Sequence, residues 1–141
     1  MVDDVLINKA ASIERCVMRA REEYLADPAS FADNHTRQDA AILNIQRACE
    51  AALDMGQHLI RREKIGVPQS ARDVFSLLAQ ANWIDKTLAD SLKRMIGFRN
   101  IAVHDYQSLQ MPITLNIITQ HLDEFLNYSK AIITKDANIN N

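Results

Sequence analysis

Apolar residues recur along this chain at spacings of three and four, and almost nowhere at two. The first run, Leu6, Ala10, Ile13, Val17, Ala20 and Tyr24, lies on one stripe of a helix expected over about Asp3–Ala26. Asp3 and Asp4 suit the positive end of that helix. Residues 27–35, with Pro28, Ser30, Asp33 and Asn34, read as a loop. Thr36-Arg37-Gln38-Asp39 has the hydroxyl-x-x-acid pattern that satisfies free backbone N–H groups, so a second helix is expected to open there. Ile42, Ile45, Cys49, Ala52 and Leu59 continue its stripe to about Lys64. Arg61, Arg62 and Lys64 stand in the last turn, with Gly66 and Pro68 just beyond.

Ser70-Ala71-Arg72-Asp73 repeats the capping pattern before Val74, Leu77, Leu78 and Ala81. Asp85 can cap a fourth helix carrying Leu88, Leu92, Met95 and Ile96, which runs into Arg99–His104. Pro112 suits the first turn of a fifth helix with Ile118, Leu122, Phe125 and Ile132 on its stripe. No run alternates with period two between turn signals, so no sheet is expected. Long helices with short connections imply an all-α, up-down helical bundle with one short additional helix. Residues 1–135 form a single domain, and the polar tail 136–141 is expected to fray.

Composition narrows the picture. The 141 residues, 48% of them hydrophobic, suffice for one globular core. The formal charge of −2 gives no bulk attraction for nucleic acid, so any phosphate contact must be local. Cys16 and Cys49 sit among apolar neighbours and read as reduced, buried thiols. There is no basic start followed by an apolar run, and no apolar stretch of membrane length, so a cytoplasmic protein without a membrane role is expected.

The chemistry concentrates in Arg99-Asn100-Ile101-Ala102-Val103-His104-Asp105-Tyr106. Arg99 and His104 are five positions apart, which on an ideal helix is roughly 140° of rotation and about 7.5 Å of rise. The two do not share a face. Either the helix unwinds near His104, or two copies of the chain pair through this helix and pool their Arg–His sets. Arginine offers a rigid fork of donors for a phosphate. Histidine exchanges a proton near neutrality. Together they are a minimal kit for cleaving RNA without a metal or other cofactor, with Asn100 as an auxiliary polar group. Gly97, two residues earlier, is either a point of close approach or a tolerated helix glycine.

The run Arg-x4-His-x-Tyr, late in an all-helical chain of this length, resembles the signature of the HEPN superfamily, and above all its HepT toxin branch. That resemblance covers essentially the whole chain. It implies a helical homodimer with RNase activity, Arg99 and His104 as the catalytic pair, and Asn100 as the polar residue after the arginine. It further implies a cognate MntA-like minimal nucleotidyltransferase antitoxin that silences the enzyme by attaching AMP to Tyr106. Asp105 fills a variable slot. The competing reading is a non-catalytic bundle that docks a nucleotidyltransferase, in which Arg99 and His104 only favour the negative end of a helix.

Other groups carry less. Neither His58 nor His121 has an acid three residues before it, so a di-metal bundle site is not expected. Arg61, Arg62 and Lys64 read as a solvated helix end or, alternatively, as a phosphate track. Few aromatics are present, so RNA would be held through its backbone.

Overall fold

The computed structural model describes residues 3–139. Helix α1 spans Asp4–Leu25, and Asp3 caps it by accepting from the N–H groups of Val5 and Leu6. A 3-10 turn over Pro28–Asp33 leads to α2, His35–Glu63. The ion pairs Lys9–Asp54, Glu23–Arg37 and Asp3–Arg62 fix α1 and α2 as an antiparallel hairpin. Helix α3, Ala71–Gln80, and helix α4, Lys86–His104, pack on one another and on α2. Helix α5, Met111–Asn116, passes through a π-helical turn at Ile117–His121 into α6, Leu122–Ile139. Helix α6 returns alongside α1, with Asp123 paired to Arg21. Among the described residues all regular structure is helical.

The core is the sum of the stripes. Leu6, Ile13, Val17, Ile45, Leu59, Leu78, Leu92, Phe125 and Ile132 are fully buried. Each apolar side chain of this size contributes about 1.5–3 kcal/mol by leaving water. Helices α3 and α6 approach α2 closely at Gly56. A Cβ there would stand 2.6 Å from Val74 Cγ1 and 2.8 Å from the Tyr128 hydroxyl. That hydroxyl donates to the Ala52 carbonyl at 2.7 Å, so glycine is what lets α3 and α6 meet α2.

Three local expectations need correction. The cap of α2 is Asn34, whose side chain accepts from Arg37 N–H, and not the Thr36–Asp39 box. The 3-10 turn sets this start, because Gln38 is buried and donates to the carbonyls of Phe31 and Ala32. At the other end of α2, Lys64 rather than a glycine takes the left-handed conformation (φ 53°), and Ile65 N–H closes on the Ile60 carbonyl. Finally, α6 continues through the residues expected to fray. Asp136 is buried and accepts from Arg62 at 2.7 Å, which holds the last turns in place. The rest of that tail, residues 140–141, lies outside the described residues.

Candidate functional site

Helix α4 carries the site because its start and its inner face are both fixed. The Asp85 carboxylate accepts from Leu88 N–H at 2.7 Å. Leu92, Met95, Ile96, Phe98 and Ala102 are buried, and the Cys49 thiol of α2 donates to the Met95 carbonyl at 3.7 Å. The helix runs without a break to His104, and Asp105 ends it by donating N–H to the Ile101 carbonyl. The unwinding route for joining Arg99 to His104 is therefore closed within one chain. The two side chains leave the same straight helix in directions roughly 140° apart.

Arg99 lies on the edge of α4 that faces α2. Its Nε donates to Glu50 at 2.6 Å, and its Nη1 donates to the Asn100 side-chain oxygen at 2.6 Å. The guanidinium is half-buried and clamped on two nitrogens, while Nη2 has no hydrogen-bond partner among the described residues. His104 is exposed in the final turn and makes no hydrogen bond to the described residues. Ile101 and Val103 beside it are also exposed, at 41% and 47%.

Tyr106 stands in the 3-10 turn Tyr106–Ser108, immediately after α4. Its ring is exposed, but its hydroxyl is not left to water: it donates to the Asp39 carboxylate of α2. Partial burial, the bond to Asp39 and the negative charge of that carboxylate push the phenol up to about 12. Asp105 accepts from the Ser108 hydroxyl within the same turn.

Glu50 and Asp39 are the two contributors that the sequence did not single out for the site. They are eleven residues apart on α2, which is about three turns, so they share one face and meet the beginning and the end of the motif on α4. That spacing was a usable signal, but nothing in the sequence says that this face of α2 lies against Arg99 and Tyr106. At Gly97 the close neighbour is a side chain of α3. Arg72 Nη2 would lie 3.2 Å from an added Cβ, and Arg72 Nε donates to the Lys93 carbonyl at 3.3 Å.

The remaining candidates have structural partners. Arg62 is bonded to Asp3, Glu63 and Asp136, and His58 to Asp3. His121 pairs with Glu124. Cys16 and Cys49 are both buried; burial pushes the Cys16 thiol up, and burial with the nearby Glu50 charge pushes Cys49 up to about 12. Neither is a nucleophile at neutral pH. Among the described residues no three His, Cys, Asp or Glu side chains gather as a metal cage. No helix among them is long and apolar enough to cross a membrane.

The chain and its fold are similar to known proteins. A family model described as HepT-like, "Ribonuclease HepT-like", matches residues 13–132. The mRNA nuclease HepT of Shewanella oneidensis is 48% identical over 124 residues, which is 88% of this chain and 92% of that protein. A solved structure of a tri-AMPylated Shewanella oneidensis HEPN toxin in complex with an MNT antitoxin superposes with a TM-score of 0.90. It is 45% identical and covers 94% of this chain and 99% of its own. A cytosolic protein of unknown function from Bacillus subtilis, YutE, shares the fold at 19% identity, with a TM-score of 0.72 over 92% of this chain and 91% of its own.

Proposed function

The chain belongs to the HepT-like ribonuclease family, and from that premise we propose that it is the RNase toxin of a toxin–antitoxin pair, cleaving RNA without a metal through Arg99 and His104. The observation that carries the reading is the state of Arg99. Glu50 and Asn100 hold two nitrogens of its fork and leave Nη2 open, on the same helix as a histidine that faces solvent. A positioned fork with an unused donor is what a phosphate recruits.

The reaction is a transfer within RNA. The 2′-oxygen attacks the adjacent phosphorus, the bond to the 5′-oxygen breaks, and a 2′,3′-cyclic phosphate remains. One proton leaves the 2′-hydroxyl and one is delivered to the departing 5′-oxygen, the general base and general acid work of histidine. Arginine stabilises the charge that builds on phosphorus-bound oxygen in the transition state. Because Arg99 and His104 diverge on an unbroken helix, the reading includes a homodimer in which α4 lies at or near the two-fold axis. Each cleft then receives arginine and histidine from two copies, one histidine as base and the other as acid. Exposed Ile101 and Val103 supply apolar surface for that contact.

The partner in this reading is an MntA-like nucleotidyltransferase that attaches AMP to Tyr106. The added phosphate would compete with RNA for the open arginine edge. The decisive experiment is cleavage of RNA by purified protein in EDTA. Persistent cleavage with 2′,3′-cyclic ends is expected, and His104→Ala abolishes it with helix content unchanged. Loss in EDTA with recovery on added metal overturns the mechanism. Sedimentation at micromolar concentration should give a dimer; a fully active monomer excludes the shared cleft.

A further inference from the structure

Tyr106 and Tyr128 solve the same problem in different ways. Tyr128 buries its whole ring and gives its hydroxyl to a backbone carbonyl, as a core tyrosine does. Tyr106 leaves 42% of itself exposed, yet its hydroxyl is bound to a carboxylate 67 residues away on another helix. Packing does not require that bond. Nor does the helix require the carboxylate, since Asn34 caps α2 and Asp39 is itself exposed. A cavity of about 380 Å³, lined by His35, Gln38, Asp39, Tyr106, Gln107 and Met111 among others, opens beside the pair and gives a reagent room to approach.

We infer that Asp39 is the general base for nucleotidyl transfer onto Tyr106: its carboxylate aims the phenolic hydroxyl and takes its proton as the oxygen attacks. The inference rests on the reading of Tyr106 as the AMP acceptor. With the phenol pushed up to about 12, almost no tyrosinate exists at neutral pH, so the proton must leave during the attack. The Oη–phosphorus bond forms on the α-phosphate of ATP while the bond to pyrophosphate breaks. As Oη becomes an aryl phosphodiester oxygen its acidity rises steeply, and transfer of its proton to a carboxylate becomes favourable late in the step. The products are the tyrosyl-AMP diester, pyrophosphate and a proton released from Asp39 to water. Asp39 also removes the search of the hydroxyl among rotamers, since the bond fixes both ring and O–H direction.

The test uses the full-length toxin, its neighbouring nucleotidyltransferase and ATP, with intact mass followed over time at several toxin concentrations. Asp39→Asn should lower kcat for the first AMP by about a hundredfold and change KM little. Asp39→Glu should recover part of the loss. The ultraviolet titration of Tyr106, taken as the difference from Tyr106→Phe, should move below its wild-type position of about 12 in Asp39→Asn, since the part of the rise due to the Asp39 bond and charge is lost while the part due to burial remains. Equal thermal midpoints for wild type and both variants establish that each is folded. A wild-type kcat in Asp39→Asn, or a change confined to KM, overturns the inference. If Tyr106→Phe is modified as fully as wild type, the acceptor itself is wrong. If Tyr106→Phe stays unmodified while Asp39→Asn reacts normally, the acceptor stands and only the role of Asp39 falls.

Discussion

Arg62 and Arg99 both meet acidic partners, and they are in opposite conditions. Arg62, at the end of α2, has every part of its fork occupied: Nη1 by Asp3, Nη2 by Asp136 and Nε by Glu63. The Trp83 ring lies 6.0 Å from its guanidinium carbon, and Lys135 approaches the same ring at 4.8 Å. Arg99 has one carboxylate, one neighbouring amide and one open edge. A closed shell of partners ties three helices together and leaves nothing for a ligand. An incomplete shell holds the side chain still and keeps a donor for a phosphate. The basic cluster at residues 61–64, read from sequence as a solvated end or a phosphate track, is therefore neither of these at its central member. Arg62 is a structural clasp.

The largest expected effect breaks the open end. Arg99→Ala should lower RNA cleavage by about 10²–10³-fold, the scale of one lost transition-state donor, while the unfolding midpoint in denaturant stays near wild type. Arg62→Ala should do the reverse. It removes the partner of two largely buried carboxylates, and a loss of about 2 kcal/mol is expected, below the ~3–5 of a fully buried pair because Arg62 is half-buried. RNA cleavage by the folded fraction should be unchanged. Cleavage that falls with Arg62→Ala as far as with Arg99→Ala would erase the contrast and restore the phosphate track.

Acid sharpens the same contrast. Burial alone would raise Asp3, but the bonds from His58, Leu6 N–H and Arg62 outweigh it and hold Asp3 at about 2, below the ordinary carboxylate value of 3.8. A carboxylate lowered on folding contributes stability that is present above its unfolded pKa and is lost as pH falls through the folded one. Between pH 4 and pH 2 the stability of wild type should therefore fall more steeply than that of Arg62→Ala, and the gap between them should narrow. Parallel unfolding curves across that window would show that the clasp is not electrostatic.

What could be read from the sequence follows the range of the interactions. Stripes such as Leu6-Ile13-Val17-Ala20 and Ile118-Leu122-Phe125-Ile132 were legible because helical spacing alone defines them. So were the caps at Ser70 and Asp85, which act within three residues. The true cap at Asn34 was hidden because it depends on how Gln38 ties down the preceding turn. Asp136 read as part of a loose tail because its partner, Arg62, lies 74 residues away. The same divide runs through the site. Arg99, His104 and Tyr106 stand in one window and carry the family resemblance, whereas Glu50 and Asp39 reach them only because α2 crosses α4 and its following turn. Their eleven-residue spacing marks one face of a helix without saying what that face meets.

The smallest expected effect separates the two partners of Arg99. Glu50→Gln removes the charge but keeps an oxygen that can accept from Nε, and Asn100 still holds Nη1. The guanidinium should therefore stay near its place but wander more, and cleavage should fall only a few-fold, expressed in kcat. Stability should move by less than about 0.5 kcal/mol, since Glu50 is 47% exposed and such pairs contribute little in water. Glu50 also competes with phosphate for the guanidinium charge, so the neutral variant should bind RNA slightly more tightly even as it turns over more slowly. Opposite signs in kcat and in RNA affinity are the signature of a side chain that positions an arginine rather than one that stores stability. If Glu50→Gln instead costs as much stability as Arg62→Ala and leaves both kinetic quantities alone, then Arg99 is a second clasp, and the distinction between an open and a closed shell fails.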